Sequence, residues 1–142
     1  MKKLLIAGIT IAFVFTLFGC STKTKNTNQE TTSNTEKSVT YKDGTYDVQH
    51  KSTKPGYEEA VVTIKNNKIQ AIVLKRLDDS KKEVDYNVWN GTSDYPNLKQ
   101  YRLDLAKAMI SKQSADVDVI SGATQSSNGW KTAVSSALSK AQ

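Results

Sequence analysis

Apolar and polar positions change rhythm several times along the chain, and each change marks a different element. Residues 4–18 are an apolar run, LLIAGITIAFVFTLF, behind Met1, Lys2 and Lys3. From Ser21 to Ser38 the sequence STKTKNTNQETTSNTEKS offers nothing to a core. Alternation then begins: Gly44–His50 and Glu59–Lys65 carry apolar and β-branched residues at period two, as strands covered on one face do. Asn66-Asn67 separates the second of these from Lys68–Lys75, and asparagine tolerates the positive φ of a two-residue hairpin turn. Asp78–Asn97 has no period and reads as a long loop.

Helical spacing follows. Leu98, Tyr101, Leu105, Ala108 and Met109 fall on one face from Asn97 to about Lys112. Trp130, Val134, Ala137 and Leu138 form the stripe of a second helix, from about Ser127 to Ala141. Between the helices, Val117, Val119 and Ile120 suggest a short buried strand leading into a glycine turn. Strands first and helices later imply an α+β fold: a small single domain over residues 39–142, its antiparallel hairpins packed with two main helices.

The start of the chain reads as an export signal. A charged opening, an apolar stretch shorter than the roughly 20 residues that span a bilayer, and a small residue at its end fit a cleaved segment over residues 1–19. Leu17-Phe18-Gly19-Cys20 resembles a bacterial lipobox, which implies lipidation of Cys20. Cys20 is the only cysteine, so the chain has no internal disulfide. Residues 20–38 are then the lipidated cysteine and a flexible tether, too polar to repay the entropy of ordering. Loss of Lys2 and Lys3 takes the 20 basic side chains to 18 against 14 acidic, a net charge of +4 that does not argue for nucleic acid as a partner. The location implied is the extracytoplasmic face of the cell membrane, held by a lipid anchor.

The candidate chemistry lies between the helices, in Asp116–Ser127. Gly122 and Ala123 leave the backbone uncovered at a helix start, where free amides and the helix dipole favour phosphate, and the hydroxyls of Ser121, Thr124, Ser126 and Ser127 surround it. The same residues also suit a plain N-cap.

Asp118-Val-Ile-Ser-Gly-Ala-Thr124 resembles the flavinylation motif Asp-x-x-Ser/Thr-Gly-Ala-Thr/Ser of the FMN-binding domain family. That family includes flavin subunits of the sodium-pumping NADH:quinone oxidoreductase and of Rnf complexes, and lipoproteins that move electrons outside the cell. The resemblance covers about Tyr41 to Leu138, including Tyr41-Lys-Asp-Gly-Thr-Tyr46 and the Asn66-Asn67 hairpin. It implies FMN bonded by a phosphoester to Thr124, with Asp118, Ser121, Gly122 and Ala123 completing a cofactor-binding motif. It also implies an FMN transferase for maturation, a membrane redox donor and an extracellular acceptor.

Other chemistry is poorly supplied. A redox role without flavin would need Cys-x-x-Cys-His for haem or a cysteine set for an iron–sulfur cluster, and the sequence has neither. His50, the only histidine, reads as a surface residue at a strand end rather than a base or ligand. Asp78, Asp79, Glu83 and Asp85 do not have calcium-loop spacing. Tyr86, Trp89 and Tyr95 either stack on the flavin ring or pin their loop to the core. The expectation is an electron carrier rather than a catalyst. A lipoprotein that binds another ligand or a surface polymer is the alternative, and a flavin enzyme acting on a small substrate is a third reading.

Overall fold

A computed structural model describes residues 39–52, 54–88, 90–92 and 94–142. The apolar run, Cys20, the polar stretch behind it and Trp89 lie outside the described residues. Three strands, β1 (Gly44–Lys51), β2 (Tyr57–Lys65) and β3 (Lys68–Leu77), precede two helices, α1 (Leu98–Lys112) and α2 (Thr124–Lys140). The strands form an antiparallel meander in the order β1-β2-β3. Both helices cover one face of it, α2 over β1 and β2 and α1 beside β3.

The hairpin forms for the reason its asparagines suggest: Asn66 and Asn67 have φ of 54° and 60°, the left-handed pair a tight β-turn needs. Asn67 does more than turn the chain, because its side-chain oxygen accepts the Tyr41 N–H at 2.6 Å and fixes the entry to the domain. Beyond the turn, Lys65 pairs with Lys68 and Ile64 with Ile69, but Thr63 pairs with Ala71. Gln70 is therefore an extra residue, a β-bulge that moves every later residue of β3 by one place. Ile69, Ile72 and Leu74 consequently all point inward, opposite Ile64, Val62 and Ala60.

The sheet's inner face meets Leu105, Ala106 and Met109 of α1 and Trp130, Ala133, Val134, Ala137 and Leu138 of α2, all buried. On α1 the expected stripe needs one correction: Ala108 is exposed and Ala106 takes its place, since the buried face follows Tyr101–Leu105–Met109 and leans to its neighbour Ala106. Asn97 caps α1, its side chain accepting the Gln100 N–H at 3.1 Å. Gln113 ends the helix in a left-handed conformation, and its amide reaches back to both backbone groups of Ile69, at 2.8 and 3.0 Å. The side chain thus serves the bulge as a one-residue strand would.

The segment expected as a buried strand is not one. Residues 116–120 form no strand; Val117 is buried, but Val119 stands 38% exposed. With no neighbour to pair with, the segment is tied by side chains instead: Lys131 donates to the Val117 carbonyl, and the Ser127 hydroxyl accepts the Ile120 N–H at 3.2 Å. A further correction follows at α2, which starts at Thr124, three residues before the expected Ser127.

Candidate cofactor site

The N-terminus of α2 is built without a side-chain cap. Ala123 occupies the N-cap position, and no side chain bonds to the first turn from it, so the reading of these hydroxyls as plain caps does not describe the site. Ser127 N–H is satisfied by the Ala123 carbonyl at 2.9 Å. The amides of Thr124, Gln125 and Ser126, one residue earlier in turn, have no intrahelical carbonyl within reach. They form the positive end of a 17-residue helix, a place that favours an anion.

Gly122 makes this exposure possible. Its φ is +75°, and a β-carbon there would lie 2.5 Å from the Asp94 carbonyl oxygen and 2.8 Å from Pro96 Cδ. The loop of residues 94–96 therefore packs directly on the motif turn, which only glycine permits. Thr92 closes that loop by accepting the Asp94 and Tyr95 amides on its hydroxyl, each at 3.3 Å.

Around the turn lies a cleft of about 440 Å³, within the roughly 300–1,000 Å³ usual for small-molecule sites. Gly122, Ala123, Thr124, Gln125 and Ser126 form one wall. Tyr95, Pro96 and Tyr101 give apolar and aromatic surface, and Ser52, Lys54 and Arg76 add polar and cationic groups. Burial pushes the Tyr101 phenol above its ordinary pKa, with the Ser126 hydroxyl pulling the other way.

Of the residues singled out from the motif, Gly122, Ala123 and Thr124 line the cleft together. Asp118 and Ser121 are exposed and lie outside its lining. Ser127, expected among the hydroxyls around the phosphate, is fully buried and turned to Ile120 instead. The loop aromatics divide. Tyr95 reaches the cleft, whereas Tyr86 pins the loop to β3, accepting the Arg76 N–H at 2.9 Å and stacking under the Arg102 guanidinium at 4.1 Å. His50 and the loop carboxylates stay out of the cleft lining, and no metal-binding cluster of His, Cys, Asp or Glu is found among the described residues.

Sequence reading missed Ser52, Lys54, Arg76 and Tyr101. Arg76 is the most informative of them. It shares the inward parity of Ile72 and Leu74, sits opposite Glu58, and forms an ion pair with Glu58 Oε1 under α2. Two inward charges on adjacent core strands are a legible signal, but the bulge at Gln70 hides it: straight alternation from Ile69 turns Arg76 outward.

An aromatic-flanked cleft with free amides, two cations and an exposed hydroxyl suits an elongated ligand with a flat ring at one end and a phosphate at the other. FMN is such a molecule. The fold and the cleft thus define a small α+β domain with an aromatic- and cation-lined cleft at a helix start. The FMN-binding domain profile matches residues 19–139, and the chain belongs to that family; it is a flavin-binding protein. Its structure is similar to the crystal structure of the CPE2226 protein from Clostridium perfringens, with 29% sequence identity, a TM-score of 0.62, and coverage of 71% of this chain and 88% of that one. No curated protein matches the chain.

Proposed function

We propose that the chain is a membrane-anchored, extracytoplasmic electron carrier whose FMN is bonded through a phosphoester to Thr124. The observation that carries this reading is the place of Thr124: first residue of α2, exposed, and in the wall of the cleft that holds the free amides and Arg76. A hydroxyl there is open to a modifying enzyme and already adjacent to groups that favour phosphate.

Energetics favour a covalent bond. A helix N-terminus contributes about 0.3–1 kcal/mol towards an anion, while micromolar retention takes about 8 kcal/mol. Outside the cell a dissociated flavin is lost, and a covalent bond prevents that loss whatever the affinity of the cleft. In this reading Gly122 and the amides after it seat the phosphate, Arg76 and Lys54 neutralise it, and Tyr95 and Tyr101 offer surface to the ring. Bound FMN supplies one- and two-electron redox chemistry. Among the described residues no histidine or carboxylate lines the cleft, whose titratable side chains are Lys54, Arg76, Tyr95 and Tyr101, and we read the chain as a carrier rather than a catalyst. Cys20 and the polar stretch behind it support the membrane anchor, and the tether's length lets the domain reach donor and acceptor.

The test is reoxidation kinetics of the reduced, flavin-loaded protein. Mixed with a soluble ferric chelate, the carrier is expected to reoxidise with a rate that rises linearly with acceptor concentration, and Thr124→Ala protein is expected to pass no electrons. Saturation with a small organic substrate, or equal electron transfer by Thr124→Ala, overturns the reading.

A further inference from the structure

Glu58 and Arg76 are placed at a cost that the fold alone does not explain. Glu58 is completely buried beneath α2; its Oε1 pairs with Arg76, but its Oε2 has no hydrogen-bond partner among the described residues. A buried acceptor left unmet costs about 1–3 kcal/mol. α2 also gives way to it. Gly129 stands where a β-carbon would be 2.7 Å from Glu58 Oε2, so the helix carries a glycine in its interior at about 1 kcal/mol relative to alanine. An apolar pair at these two positions would commonly be as stable or more so. Local rules broken at mutual cost mark functional positions.

Arg76 shows what the expense achieves. Nη1 is held by Glu58, and Nη2 donates to the Pro55 carbonyl at 2.6 Å. Its backbone is fixed by Tyr86 on one side, and the neighbouring Lys75 carbonyl by Trp130 Nε1 of α2 at 2.9 Å. The guanidinium is therefore locked in one place, with 15% of the side chain still exposed, and it lines the same cleft as Thr124. Lys54, the other cation of the cleft, is an exposed loop residue with no such support.

We propose that Arg76 is the positioning residue for flavin attachment: seated by Glu58, its guanidinium holds the phosphate that is to be bonded to the Thr124 hydroxyl. This rests on the reading of Thr124 as the attachment residue. In the step concerned, a bond forms between Thr124 Oγ and the FMN-side phosphorus of FAD while the pyrophosphate P–O bond breaks. AMP leaves with the electron pair, the hydroxyl proton passes to a base of the flavin transferase, and nothing is oxidised or reduced. A planar guanidinium suits this task better than an ammonium because it presents paired donors in fixed directions.

The experiment incubates the unmodified full chain with FAD and a purified flavin transferase, and follows the gain of one FMN by intact mass against time. Arg76→Met is expected to load about tenfold more slowly than wild type, the loss of roughly 1.4 kcal/mol of phosphate binding. Arg76→Lys is expected to fall between them. Because Arg76→Met strands a buried carboxylate, the paired variant Glu58→Gln/Arg76→Met is measured beside it, with no net charge left in the core. It is expected to melt near wild type and still load slowly. Wild-type loading by the paired variant, or equal loading by Arg76→Lys and Arg76→Met, overturns the proposal while leaving Thr124 as the attachment residue. No gain of mass by wild type, in a mixture where another FMN-binding domain is modified, overturns both.

Discussion

Gly122 lies so close to the Asp94 carbonyl that a β-carbon on it would stand 2.5 Å from that oxygen. The contact joins the motif turn to the loop that carries Tyr95 and Pro96, so the same glycine shapes two walls of the cleft. Gly122→Ala adds both the clash and the strain of a positive φ of 75°. The expected loss is about 1–3 kcal/mol, a fall in Tm of roughly 4–8 °C for each kcal/mol in a domain of this size. Denaturant unfolding that moves by less than about 0.5 kcal/mol would contradict this packing.

Gly129 offers a prediction with an unusual sign. Alanine inside a helix is normally favoured over glycine by about 1 kcal/mol. Here the new methyl meets the Glu58 carboxylate at 2.7 Å, and Gly129→Ala is expected to destabilise by about 1–3 kcal/mol. In the Glu58→Gln/Arg76→Met background the penalty is expected to shrink, because the side chains below are no longer locked as a pair. A double-mutant cycle measures the difference.

On the outer face of the sheet, Glu59 joins Lys75 at 2.6 Å and Gln49 at 2.6 Å. Burial raises the Glu59 carboxyl, but the bonds from Lys75 and Gln49 outweigh it and hold the pKa below the usual carboxylate value. A depressed pKa contributes stability that is complete above the unfolded value and is lost as pH falls through the folded one. Wild type is therefore expected to exceed Glu59→Gln by about 1–2 kcal/mol at neutral pH, and the gap to close as the pH falls below 4.5. A gap that is constant from pH 7 to pH 3 would contradict the assignment. Glu58 runs the other way: burial, acting against Arg76, raises its carboxyl, so its contribution is greatest in acid and is lost as pH rises through its folded pKa.

Tyr86 is a structural residue in this account. Its hydroxyl accepts the Arg76 N–H, and burial pushes its pKa up to about 12. Tyr86→Phe is expected to cost about 1 kcal/mol, and flavin loading to fall only in so far as Arg76 loses its anchor. In an absorbance titration the Tyr86 phenol is expected to stay protonated until about pH 12. Quenching or shifting of the flavin spectrum that depends on the Tyr86 ring would instead place it against the cofactor.

What the sequence made legible was whatever rests on local periodicity or on one residue's backbone needs. The Asn66-Asn67 turn, the strands flanking it and the buried faces of both helices belong to that group. The start of α2 was not legible, because Thr124, Ser126 and Ser127 are equally good caps on paper. Only the tertiary tie from Ser127 to Ile120 shows which hydroxyl faces inward. Val117 reads as a strand residue because apolar positions alternate with aspartates around it, yet a strand also needs a partner, which periodicity does not report. Arg76 was hidden by one inserted residue, Gln70, whose bulge changes the face of everything after it. Gly122, Ala123 and Thr124 are legible in the motif, whereas Ser52, Lys54, Arg76 and Tyr101 join them only through the fold.

The most direct measurement is the intact mass of the protein purified from its own host, wild type beside Thr124→Ala, with fluorescence read in a denaturing gel. Wild type is expected to carry one FMN that survives denaturation, and Thr124→Ala none. Wild-type protein of unmodified mass, from cells shown to flavinylate other proteins, would contradict it.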